Sequence, residues 1–464
     1  MNTLILAWRN IFRNGRRSAL TVLAIMVAAV SVILFGGFVR SIFLAIETQT
    51  VRQLGHLEVF RTGYFEYGSG NPGAYGIDHY LDVMDLVGTD ATLRPLVRLV
   101  TPTLQMMGIA GNFQEIASKT FLGHGYIPSA RQRMALWDGY GLGTRRWQPP
   151  TMSDDDTEGG VIGVGLARIL HLCAALKIPN CDDRPSEAAD ASPAGPAEDF
   201  SQLPEVAAPE TAAPGDQRPR VDLLAATSAG APNVVTLYLA ATERQGAKEV
   251  DDSYVAMHLD LAQRLLYGRG EHKVTALVIQ LNQSQDIAAT RAALERLFAD
   301  RHLALEVRDF TELYPFYTQV KGMFLVIFGF IALVLGVIVI FTVTNTMTMT
   351  VMERITEIGT LRALGLRRWD IRSLFLSEGL LLGTLSAAAG VALGTGISLL
   401  VNRAGLTWMP PSHVEPAPLT IQVIDTPLLM AGCWLSLVLL AALSALLPAN
   451  KAARMEVVDA LRHV

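Results

Sequence analysis

VMERITEIGTLRALGLRRWDI, Val351 to Ile371, carries seven charged side chains between two stretches that carry none. Upstream, Gly322 to Met352 is uncharged; downstream, so is Gly379 to Asn402. A charged insert between two such runs reads as a connector at one face of a membrane. A hydrocarbon core of about 30 Å takes roughly 20 helical residues. Four runs reach that length: Ala19 to Phe38, Met323 to Val351, about Gly379 to Val401 and about Pro427 to Leu447. The second is long enough to tilt or to extend past the bilayer. The first exceeds the apolar part of a secretory leader, and no small-residue cleavage motif follows it closely, so it reads as a span.

Basic residues in short flanks set the topology. Arg9, Arg13, Arg16 and Arg17 precede the first span with no acidic residue among them. Arg354, Arg362, Arg367, Arg368 and Arg372 lie between spans two and three, and Lys451, Arg454 and Arg462 follow span four. The loop between spans three and four has only Arg403. Both termini and the connector are therefore expected in the cytoplasm, and the stretch from about Ser41 to Tyr317 outside. Leu4, Ile5, Trp8, Ile11 and Phe12 recur on one helical face, the pattern of an amphipathic helix in the membrane interface.

The outside stretch alternates strand and helix signals. HLEVFRTGYF, RPLVRLVTPTLQMMGIA, EIASKTFLGHGY, VTALVIQLN and LALEVRDF read as strands. RVDLLAATSAGAPNVVTLYLAATE reads as a hairpin around SAGAPN, and VIGVGLARILHL as a strand entering a helix through glycines. YVAMHLDLAQRLLYG and DIAATRAALERLFAD read as helices. The late alternation predicts a compact α/β subdomain, with a strand-rich part built from the earlier segments. Residues 182–220 hold seven prolines and little that could be buried, the composition of a disordered insertion. The eight-residue separation of Cys173 and Cys181 allows a disulfide on the oxidising side, or two free thiols; Cys433 reads as a small packing residue in span four.

The fold class expected is an α-helical membrane protein of four spans, with a large extracytoplasmic α/β (α+β) domain between spans one and two. Its divisions are 1–42, 43–318 and 319–464, with a connector at 353–372. A formal charge of −5 and the lack of a basic stripe exclude a nucleic-acid partner. The 464 residues contain no Gly-Lys dipeptide, hence no P-loop, and no HExxH. His56, His79 and His124 lack metal-ligand spacing, and Asp154, Asp155 and Asp156 read as a solvated loop. Neither catalytic nor metal residues are assigned. Glu378, at the start of span three, lies a turn or two from Arg372, where an interfacial ion pair is expected. Gly379, Gly383, Ala387, Gly390 and Gly394 form a small-residue stripe that lets helix backbones approach.

The order of these parts resembles the permease family of MacB, FtsX and LolC/LolE type among ABC transporters. Glu353 to Gly365 resembles the family's cytoplasmic signature, E-R-x-x-E-I-G-x-L-R-A-L-G. LAWRNIFRNGRRSALTVLAI (Leu6 to Ile25), PANKAARMEVVDALR (Pro448 to Arg462), GVGLARIL and VTALVIQLN resemble its other conserved blocks. The resemblance implies a non-enzymatic membrane subunit that works as a homo- or heterodimer with a separate cytoplasmic ATPase. ATP and magnesium belong to that partner, and the chain itself needs no cofactor. LGHLEVFRTGYFE, Leu54 to Glu66, resembles the lipoprotein-release branch, which implies an inner-membrane location, lipid contacts and a lipoprotein substrate. Efflux of a small molecule or peptide with a periplasmic adaptor is the alternative; so is mechanotransmission to a cell-wall hydrolase without transport.

The connector then becomes the coupling segment, with Glu353, Arg354, Glu357, Gly359, Arg362, Gly365, Arg367 and Arg368 as its site residues. Gly359 and Gly365 are expected to break it into short helical pieces. Arg354 and Glu357, three apart, can pair on one face, and Arg362, Arg367 and Arg368 can bond a partner's carboxylates.

Overall fold

The computed structural model describes residues 15–68, 70, 73–141, 152–179, 181, 218–245, 248–268, 270, 272–408 and 417–455. The amphipathic N-terminal segment, residues 182–217 of the insertion and the end of the C-terminal tail lie outside the described residues. The chain divides into a membrane unit, residues 1–46, 316–409 and 416–464, and an extramembrane unit built mainly from residues 47–315. The boundaries expected at 42/43 and 318/319 fall within long helices that continue across them.

Among the described residues four helices are long and apolar enough to cross a membrane: α1 (Gly15–Leu54), α9 (Pro315–Glu353), α11 (Arg368–Ala404) and α12 (Pro427–Arg454). In hydrocarbon every backbone group must be satisfied within the protein, and a helix does this alone. Their common core is small and aliphatic, with Ile25, Ala29 and Ile33 of α1, Val339 and Val343 of α9, and Ala441 and Ala445 of α12. Pro448 lies inside α12 and has no N–H for the carbonyl of Ser444 one turn earlier. The Thr344 hydroxyl of α9 donates to that carbonyl at 3.3 Å.

The stripe on α11 faces two neighbours in turn. A Cβ on Gly379 would lie 2.7 Å from the Ala445 Cβ, and one on Gly383 2.7 Å from the Ala441 Cβ, both on α12. Ala387 is fully buried. Gly390 and Gly394 face α1: a Cβ on Gly390 would lie 2.5 Å from the Ala29 Cβ and 2.8 Å from the Met26 carbonyl oxygen. Gly390→Ala is therefore expected to destabilise the α1–α11 contact by about 1–3 kcal/mol, the range for overpacking. Gly396→Ala, at a glycine with nothing within 4 Å of the added Cβ, is the control. Thermal unfolding of the solubilised protein checks this, and equal melting temperatures for the two variants would refute it.

The extramembrane unit is organised by one nine-stranded mixed sheet. Its strands are β1 (Leu57–Arg61), β2 (Val97–Asn112), β3 (Ala117–Tyr126), β4 (Gly159–Ile162), β5 (Arg220–Ala226), β6 (Pro232–Thr242), β7 (Tyr254–His258), β8 (Ala276–Leu281) and β9 (Leu305–Asp309). Strands β3, β7, β4, β6, β5 and β2 follow in order, and β2 also pairs with β3, so these six close into a ring. From the first half of β2 the sheet continues through β8 and β1 to β9. Early and late strands thus share one sheet, in place of the two sequential subdomains expected. The helices are α2 (Tyr80–Thr89), α3 (Pro128–Ala135), α4 (Val164–Ile169), α5 (Lys248–Asp251), α6 (Leu259–Tyr267), α7 (Ile287–Asp300) and α8 (Phe310–Leu313).

The stretch read as one helix from Tyr254 is strand first and helix second. Tyr254 to His258 are all buried between β3 and β4, an environment that suits aromatic and β-branched residues. His258 then caps α6, its Nδ1 accepting the Asp260 N–H at 3.2 Å. One sheet face, with Leu57, Leu104, Phe121, Met257 and Ile279, joins α6 in the main apolar core. Gly125 lies directly under Ala262 of α6, where a side chain would not fit. Cys173 and Cys181 form a disulfide pair with Cα atoms 5.7 Å apart.

Candidate functional site

The Val351–Ile371 stretch is a short helix, α10 (Ile355–Ala363), set between the end of α9 and the start of α11. Ile355, Ile358 and Gly359 form its buried face; Thr356, Glu357 and Thr360 form its exposed one. Ile358 joins Val351, Ile371, Phe375, Ala449, Ala452 and Ala453 in a compact apolar cluster that seats the helix on α11 and α12. The break expected at Gly359 does not occur. That glycine lies on the packed face, and a glycine's cost of about 1 kcal/mol in a helix is small beside such packing. Gly365 does turn the chain: its φ of +96° suits glycine, and α11 begins three residues later.

Polar contacts hold α10 at both ends. Arg354, at the α9–α10 junction, and Glu378 of α11 form an ion pair at 3.7 Å, each side chain only 5% exposed. Glu378 is thus bound across helices, to a different arginine from the Arg372 expected. The Arg372 guanidinium lies over the Trp369 ring at 5.8 Å. Arg362 Nη1 donates to the Ala453 carbonyl at 2.8 Å, meeting one of the open carbonyls at the end of α12. Asp370 Oδ2 accepts the Arg367 N–H at 2.8 Å and starts α11. Glu353, Thr356, Glu357, Thr360, Arg367 and Arg368 remain exposed, flanked by Leu364 at 75% and Trp369 at 66% exposure. An anchored helix with a polar outer face, flanked by two exposed apolar side chains, has the make-up of a docking surface.

The extramembrane unit holds polar groups that sequence reasoning did not single out. The last turn of α1 is tied to β8 and α3: Gln280 Nε2 donates to the carbonyls of Val51 and Met134, at 3.2 and 3.1 Å. Arg52 Nε donates to the Trp137 carbonyl at 2.7 Å. His56 packs edge-on against Trp137, and its Nδ1 accepts the Leu281 N–H at 3.0 Å. Burial lowers the His56 pKa to about 3.

Register places Glu58, Val278 and Thr101 in one row across β1, β8 and β2, with Gln105 opposite His124 farther along. These residues line a cleft of about 170 Å³. At its wall Arg131 of α3 meets Glu243 at 3.5 Å, donates to the Tyr254 hydroxyl at 3.2 Å and stacks 4.7 Å over the Tyr126 ring. Burial raises Glu58 to about 8 and lowers His124 to about 4. Thr101, Thr103 and Gln105 alternate along β2; that period-two polar run was the available signal. Asp154 and Asp156, read as a solvated loop, have structural partners: Asp154 accepts the Ser129 N–H at 2.8 Å, and Asp156 pairs with Arg218. Among the described residues no group of three or more His, Cys, Asp or Glu could hold a metal ion.

Four spans and a large inserted domain define a multi-pass membrane protein with an extramembrane α+β unit. Residues 326–457 match the FtsX-like permease C-terminal family. The macrolide export ATP-binding/permease protein MacB of Hyphomonas neptunium is 28% identical over 194 residues, 41% of this chain and 28% of that protein. The pyoverdine export ATP-binding/permease protein PvdT of Pseudomonas entomophila is 27% identical over 233 residues, 49% of this chain and 33% of that one. The chain matches about a third of the length of such relatives. The solved extracellular domain of the noncanonical ABC-type transporter YknZ, from Gram-positive bacteria, aligns at a TM-score of 0.29 and 15% identity. That alignment covers 55% of this chain and 99% of that one. These likenesses are to permease sequences of MacB and FtsX type, and they do not distinguish a lipoprotein-release branch from export branches.

Proposed function

We propose that this chain is the membrane subunit of an ATP-driven transporter of the bacterial inner membrane, and that α10 receives an ATPase lying outside these 464 residues. ATP and magnesium act in that ATPase, and nucleotide-driven movement of α10 is passed to the extramembrane unit. The anchored, outward-facing α10 is the observation that carries this reading. A contact transmits motion only if its binding energy differs between two states, and a helix held through Arg354, Arg362 and an apolar seat moves with the spans beneath it. The arginine-rich flanks favour a cytoplasmic α10 and an extracytoplasmic sheet unit. Of the spans, α9 is the least covered, with 6% of its most apolar window buried against 33% in each of the others. It is the face we assign to a second permease subunit or to lipid.

Glu357→Lys tests the reading, because Glu357 lies on the exposed face of α10. The variant is expected to fold in the membrane and to lose most stimulation of the ATPase that co-purifies with the wild type. Full stimulation in a normally inserted Glu357→Lys protein would overturn the docking role. For the cargo, the Leu54–Glu66 segment favours release of a lipoprotein or other envelope lipid. The relatives named for macrolide and pyoverdine export favour a small molecule as the second reading. Mass spectrometry of what the intact chain retains in native nanodiscs separates the two.

A further inference from the structure

We propose that the cleft on the polar face of the sheet, in the extramembrane unit, binds one small uncharged polyhydroxyl molecule of about monosaccharide size. Glu58 and Thr101 stand in one row, 4% and 6% exposed, and both line the cleft. Thr101 Oγ1 and Gln245 Nε2, also at the cleft, are buried atoms with no hydrogen-bond partner. The Glu58 carboxyl makes no hydrogen bond to another described residue. Buried polar groups are nearly always satisfied, and here two that are not line one space together with the Glu58 carboxyl. A volume of about 170 Å³ is below the range of drug-sized pockets.

The chemistry of the lining selects the ligand. The Arg131 charge is matched by Glu243 at 3.5 Å, and burial keeps His124 neutral. Burial also keeps Glu58 protonated at neutral pH, so its carboxyl donates as well as accepts. A charged ligand would therefore find no unmatched opposite charge. Hydroxyl groups, which donate and accept at once, suit a carboxylic acid, a threonine hydroxyl and an amide. Tyr126 and Tyr254 also line the cleft and add apolar surface beside these polar groups.

The test is calorimetric titration of the full-length chain in nanodiscs, near pH 6.5, with glucose, galactose and methyl α-glucoside, and with glucosamine and glucuronate as charged analogues. Saturable binding of at least one neutral sugar is expected, weakened about tenfold or more by Thr101→Val, which removes the hydroxyl at constant shape. Glu58→Gln should retain binding and Glu58→Leu lose it; Gln245→Leu, at the half-buried edge, should weaken it without threatening the fold. Binding of methyl α-glucoside as strong as that of glucose would point to a glycan- or lipid-linked sugar, and binding of free sugars only to a solute. Failure of every neutral sugar to bind the wild type would overturn the proposal. So would binding unchanged by Thr101→Val and Glu58→Leu, or tighter binding of the charged analogues.

Discussion

Glu378→Leu is expected to destabilise the membrane unit by about 3–5 kcal/mol, and Arg354→Met with Glu378→Leu to recover most of that loss. The reason is desolvation. Both side chains are 5% exposed and 3.7 Å apart, so each offsets the cost of burying the other. Removing the carboxylate leaves a guanidinium that cannot shed its proton. Removing Arg354 alone leaves a carboxyl that can become neutral, so Arg354→Met should be the milder single change. The pair also fixes where α9 stops and α10 starts, because Arg354 occupies the junction. Unfolding in mixed micelles under increasing SDS would measure all three variants. Additive losses in the double variant would show that the pair is not the unit of stability. Support and docking are expected to separate when ATPase stimulation is measured beside stability: Arg354→Met should lower both, whereas Glu357→Lys should lower stimulation in a folded protein.

That distinction marks how far the sequence could be read. The spans were legible because twenty apolar residues have few other uses, and the hairpin from Arg220 to Thr242 because SAGAPN turns between two alternating runs. The closure of the ring was not. Strand β7 pairs with β3 and β4, over a hundred and over ninety residues earlier in sequence, and nothing local at Tyr254 announces those partners. The amphipathic run after it made the strand look like the start of the helix. At the connector, spacing showed which residues share a helix face and not what crosses between helices. Arg362 reads as an outward arginine and yet bonds the end of α12; Glu378 reads as a neighbour of Arg372 and yet meets Arg354. The polar face of β2 was visible as alternation, but its meaning depended on β8 and β1 extending the same face and on α3 bordering the cleft.

Glu58→Gln is expected to remove a large pH dependence from the extramembrane unit. The folded protein raises this carboxyl from 4.5 to about 8 through burial, so between those values it holds a proton that the unfolded chain has released. Its contribution to stability is present in full below pH 4.5 and is lost as pH rises to 8. At about 1.36 kcal/mol per pH unit, the whole change is about 5 kcal/mol. His56 works in the opposite sense. Burial lowers it from 6.5 to about 3, so its contribution is present above pH 6.5 and lost as pH falls towards 3. The two slopes oppose each other from 4.5 to 6.5, with His124, lowered to about 4, adding to the histidine side. Above 6.5 the Glu58 slope is unopposed by either, and about 2 kcal/mol should be lost by pH 8. Amide hydrogen exchange of β1 and β8 in the full-length chain, corrected for intrinsic rates, reads this directly. Protection should fall roughly thirtyfold over that interval in the wild type and stay level in Glu58→Gln. Equal courses in the two proteins would mean that Glu58 ionises in the folded state as readily as in water, and the cleft would then be far wetter than its burial implies.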